Sequence, residues 1–139
     1  MSDVEMLKGL IELPQPEAAL LLEAGYLYME MGKPKDAEEV FAGVAALLPH
    51  SDVPLVALGN LEFSQGRFQR ALKHHQDALK VKPDSALAQA HVGEALLWLK
   101  KVDDAVAALN KAVQMDPEGH PAQFAKALLE AHQSGALAR

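Results

Sequence analysis

A period of 34 residues constrains this chain more than any other feature: Gly25, Gly59 and Gly93 recur at that interval, as do Ala37, Ala71 and Ala105, and Pro49, Pro83 and Pro117. Each marker has a mechanical reason if the unit is a pair of antiparallel helices. Gly in the first helix and Ala in the second let two backbones come close. Pro follows the second helix, where its missing N–H and its restriction of the preceding residue force a turn. One such hairpin cannot bury its own apolar face, so the units must stack.

The turns inside the units agree with this division. Gly32 is followed by Lys33 and Pro34, and Gly66 by Arg67, each glycine ending one apolar-periodic segment before the next begins. The third unit departs, with Lys100 and Lys101 in that place. A left-handed residue there, without glycine, costs about 1 kcal/mol. Asp52 and Ser85 are expected to cap the first helices of the second and third units, and Asp103 to cap within the third. Residues 120 to 133, with Phe124, Ala127, Leu128 and Ala131 at helical spacing, read as a terminal helix covering the last apolar face. Residues 3 to 13, with Val4, Leu7, Leu10 and Ile11, read as a short helix ahead of Pro14 and Pro16.

These residues resemble the tetratricopeptide repeat family, whose pattern sets aromatic, Leu, Gly, Tyr, Ala, aromatic and Pro positions along the repeat. The match runs without a gap over residues 18 to 119. Unit one supplies Leu21, Ala24, Gly25, Tyr28, Ala37, Phe41 and Pro49. Unit two supplies Leu55, Leu58, Gly59, Ala71 and Pro83, and unit three Val92, Gly93, Leu96, Ala105, Leu109 and Pro117. The departures are Glu62 at the Tyr position, His75 at the second-helix aromatic and Gln89 at the opening aromatic, which predict looser packing locally. The resemblance implies an all-α fold, a right-handed α-solenoid of helix pairs. Its divisions are an N-terminal helix and linker (1–17), repeats at 18–51, 52–85 and 86–119, and a capping helix with tail (120–139).

The family resemblance further implies a concave groove lined by the second, fifth, ninth, twelfth and thirteenth positions of each unit. From these, the partner-binding residues are expected to be Leu22, Tyr26 and Met29 in unit one, Val56, Asn60 and Phe63 in unit two, and Glu94, Leu97 and Trp98 in unit three. An apolar trough with aromatics and an adaptable Met suits a peptide or helix of a protein partner, because its burial recovers about 25 cal/mol per Å². Family members that hold a C-terminal carboxylate do so with Lys or Arg and Asn in the groove. Only Asn60 fits that pattern here, so an apolar segment is the expected ligand. A weaker, architectural resemblance is to the small chaperones of bacterial type III secretion. The rival to partner binding is self-assembly of the chain into a homo-oligomer.

Composition narrows the alternatives. With 13 Lys plus Arg against 19 Asp plus Glu, the net charge of -6 opposes a nucleic-acid partner. Residues 52–139 balance their charges, so the excess acid lies in residues 1–51. The basic stripe Arg67, Arg70, Lys73 and Lys80 reads as a solvated convex face. There is no Cys, and His50, His74, His75, His91, His120 and His132 show no metal-ligand spacing, so neither metal nor cofactor is expected. No phosphate loop or nucleophile motif is present, and the chain is expected to be non-enzymatic. No apolar run nears the roughly 20 residues of a membrane span, and a cytoplasmic location is expected.

Overall fold

The computed structural model describes residues 15–137. They form seven helices: α1 (Gln15–Glu30), α2 (Pro34–Leu47), α3 (Val53–Ser64), α4 (Phe68–Val81), α5 (Ala86–Trp98), α6 (Val102–Met115) and α7 (His120–Gln133). Helices α1 with α2, α3 with α4, and α5 with α6 pair as hairpins, and each second helix also packs on the first helix of the following unit. Helix α7 closes the stack against both α5 and α6. The fold is the expected all-α solenoid. The helix proposed over residues 3 to 13 lies outside the described residues.

The periodic glycines and alanines hold the hairpins together. Ala37, Ala71 and Ala105 have no exposed surface. The glycines do more than admit a backbone, because each faces a large side chain of the second helix. A Cβ on Gly25 would stand 2.3 Å from Phe41 Cε1, one on Gly59 2.3 Å from His75 Cε1, and one on Gly93 2.5 Å from Leu109 Cδ2. Phe41, His75 and Leu109 are all fully buried, so one position per unit fills the space that its glycine leaves.

Left-handed backbone occurs where the inner turns require it. Gly32 and Gly66 have φ of 73° and 77°, and Lys100 adopts φ of 63° in the third turn. Lys100 therefore accepts the conformational cost that glycine avoids in the other two units.

Of the three departures from the repeat pattern, Glu62 and Gln89 find polar partners and His75 an aromatic one. Glu62, at the Tyr position, forms an ion pair with Arg67 Nε at 2.8 Å. Buried Gln89 donates from Nε2 to the Ala108 carbonyl at 3.3 Å. His75 stacks on His91 with centroids 5.1 Å apart, and His91 meets Phe124 at 4.9 Å, so an imidazole row runs from unit two to the closing helix.

Of the expected caps, Ser85 acts as one: its Oγ accepts from the Ala88 N–H at 3.0 Å. Asp52 precedes α3 but caps nothing with its side chain. Its buried carboxylate instead accepts a hydrogen bond from Ser85, tying the start of α3 to the start of α5. Asp103 lies within the first turn of α6, after Lys101 at the cap position, where its charge favours the helix dipole. The inward face of α7 is Ala122, Ala125 and Leu128, and Ala127 points outward, a shift of the expected apolar face by part of a turn.

Candidate functional site

The first helices α1, α3 and α5 touch one another along one side of the stack, and two side-chain links mark this inner wall. Asn60 Nδ2 donates to Tyr26 Oη at 2.9 Å, joining the ninth positions of units one and two. Phe63 meets Trp98 edge to face with centroids 5.2 Å apart, joining units two and three. Phe63 also meets Phe68 at 5.0 Å, which brings the start of α4 into the same aromatic group.

The nine residues expected to form the groove divide by depth. Tyr26 is 36% exposed, its ring 5.0 Å from Phe41, and its phenol is pushed above its usual pKa by burial, against the hydrogen bond from Asn60. Asn60, Phe63 and Trp98 are half-buried and reachable from solvent. Leu22 and Met29 are half-buried against the core of Ala37, Phe41, Ala57 and Leu61. Glu94 is half-buried, and its carboxylate lies 3.0 Å from His91 Nδ1, so it is already partnered.

Val56 and Leu97 correct the expectation of an open wall. Val56 is 2% exposed and packs with Ala78 and Ala88, so it supports the wall from behind. Leu97 is 6% exposed, packs in the core of unit three and α7, and meets open space where a cleft opens.

That cleft has a volume of about 780 Å³, in the range of small-molecule sites and wide enough for an apolar side chain together with its neighbours. Its apolar wall is made by Phe68, Leu97, Trp98, Val102, Ala136 and Leu137. Lys100 and His132 complete the lining, and no lining residue is acidic. Sequence reading found Leu97 and Trp98 but missed the rest. Phe68 and Val102 hold the same position in successive units, which the period could have flagged. They belong to second helices, however, which the reading assigned to the convex side.

No group of three or more His, Cys, Asp or Glu able to hold a metal ion occurs among the described residues. Among the same residues, no helix is long and apolar enough to cross a membrane. Arg70, Lys73 and Lys80 are exposed, and Lys73 and Lys80 share Asp77 at 2.9 and 3.7 Å, as a solvated face would.

Stacked helix hairpins with a side-chain-lined inner wall define a helical-repeat interaction module. The profile of the family described as Tetratricopeptide repeat matches residues 56–120 and 99–139, and the chain belongs to that family. Among curated proteins, it is 29% identical over 110 residues to mouse trafficking protein particle complex subunit 12. That match covers 75% of this chain but 14% of the relative, so the chain spans a small part of the curated protein. Among solved structures, the type III secretion translocator chaperone SycD of Yersinia enterocolitica superposes with a TM-score of 0.75 at 18% identity, covering 94% of this chain and 98% of that one. The first tetratricopeptide domain of Spaghetti (RPAP3), bound to an HSP90 peptide, superposes with a TM-score of 0.68 at 20% identity, covering 91% and 98%.

Proposed function

We propose that this chain is a non-enzymatic scaffold or adaptor that holds an apolar peptide or helix of a partner protein along its inner wall. The observation that carries this reading is the continuous row Tyr26–Asn60 and Phe63–Trp98, which crosses all three units and stays open to solvent. Aromatic rings with a polar edge suit an interface, since they bury large area at small entropic cost and leave an O–H or N–H to orient the guest. The Spaghetti domain holds an HSP90 peptide and SycD is a translocator chaperone, and both support peptide or segment binding as the use of such a wall. The fifth positions Leu22, Val56 and Ala90 offer no cation, which favours an apolar segment over a carboxylate held at the centre of the wall.

The test is an array of apolar peptide segments probed with wild type and with the Tyr26→Ala, Phe63→Ala double variant, both shown to be folded by circular dichroism. Loss of the wild-type binding pattern in the double variant is the expected result. An unchanged pattern would reject the assignment.

A second reading, self-assembly, draws on one specific feature. Leu20, Leu27 and Met31 on and just after α1 are 65%, 55% and 54% exposed, and their spacing places them in one stripe. A chain that stays monomeric by light scattering across a wide concentration range would eliminate this alternative.

A further inference from the structure

The cleft beside Trp98 has an uneven chemistry that the apolar wall alone does not explain. Phe68, Leu97, Trp98 and Leu137 line it together with Lys100 and His132, and no acidic residue lines it. Lys100 has no carboxylate within 4.0 Å among the described residues, so its ammonium is available to a guest at the cleft. A second observation falls on the same residue. Lys100 stands at φ of 63° in the turn where Gly32 and Gly66 occupy the equivalent places, so the only left-handed non-glycine residue described is the cation lining this cleft. A residue held in a costly conformation beside a cleft points to use of its side chain.

We infer that the cleft receives one large apolar side chain of a partner segment, and that Lys100 takes a carboxylate next to that side chain. The occupant is thus an acidic, apolar-anchored peptide segment. The inference rests on the reading of this chain as a segment-binding scaffold and adds to it a fixed end with a charge preference. The excess acid of the chain lies in residues 1–51, so an acidic guest is disfavoured at the first unit and meets a charge-balanced surface at the end that carries Lys100.

The test uses the full chain and three short peptides: one with a single Phe between two Glu residues, its counterpart with Gln for both Glu, and its counterpart with Ala for Phe. Trp98 is the only Trp, so its emission reports directly on the cleft. The acidic Phe peptide is expected to shift the emission saturably and to bind about fivefold tighter than the Gln peptide, a gap that closes as salt is raised. The Ala peptide should give no saturable shift. Lys100→Gly should raise the melting temperature, because it restores the residue type of the other two turns, while erasing the acidic preference. Lys100→Arg should keep that preference.

Equal affinity for the acidic and Gln peptides, an unaltered preference in Lys100→Gly, or no emission shift with any peptide would each overturn the assignment. Failure here while array binding remains sensitive to Tyr26→Ala, Phe63→Ala removes only the cleft. Loss of that sensitivity with the peptide preference intact removes only the wider wall.

Discussion

Acid should destabilise this protein through His75, and the amount follows from where the ring lies. His75 is fully buried, faces Gly59, and neither of its nitrogens has a hydrogen-bond partner among the described residues. Burial, then the nearby His91 and His74, push its pKa down from 6.5 to about 3. The folded protein therefore keeps this ring neutral while the unfolded chain protonates it below pH 6.5. Between those two values the unfolded state binds more protons, so stability is full above pH 6.5 and is lost as the pH falls toward 3. At about 1.36 kcal/mol per pH unit, going from pH 7 to pH 5 should remove about 2 kcal/mol. For a domain of this size that is a fall of roughly 6–8 °C in melting temperature.

The other titrating groups also contribute to a measured slope, so the decisive quantity is the difference between wild type and His75→Phe. Phe41 already occupies the equivalent place opposite Gly25, which makes Phe a fitting replacement. Chemical denaturation at several pH values should show the variant losing about 2 kcal/mol less than wild type between pH 7 and pH 5. Parallel curves for the two proteins would refute the buried neutral imidazole.

Two further measurements probe the stack. Gly25→Ala places a methyl against the Phe41 ring and should cost about 1–3 kcal/mol, whereas Gly43→Ala on the open face of α2 meets nothing within 4 Å and should gain about 0.5–1 kcal/mol by thermal melting. Ser85→Ala should cost about 2 kcal/mol in urea denaturation, since it removes both the cap of α5 and the donor to buried Asp52; a loss below about 0.5 kcal/mol would mean that the tie is inert.

The hairpin architecture was legible because its markers act locally and repeat: Gly25, Ala37 and Pro49 each do one job that recurs 34 residues later. The left-handed third turn was legible for the same reason, since Lys100 stands where glycine was due. Depth was not legible. Counting positions along a helix sets the direction of a side chain but not how closely the next unit covers it, so Val56 and Leu97 were assigned to open surface although both are buried. The Asp52 carboxylate was misread because the partner that claims it, Ser85, lies 33 residues further on, at the start of α5. The cleft escaped notice because Phe68, Val102, His132 and Leu137 come together only when α4, α6 and the end of α7 are folded around Trp98.

The bridge from Ser85 to Asp52 and the Phe63–Trp98 contact clasp α3 to α5 at two separate places, one polar and shielded at the helix starts, the other aromatic. Between units one and two the polar link on the inner wall is the exposed bond from Asn60 to Tyr26, beside the apolar packing of Leu22 and Met29. On the proposed reading, a guest that needs the trough to widen would find its give near Tyr26, with the end around Trp98 as the stiffer jaw.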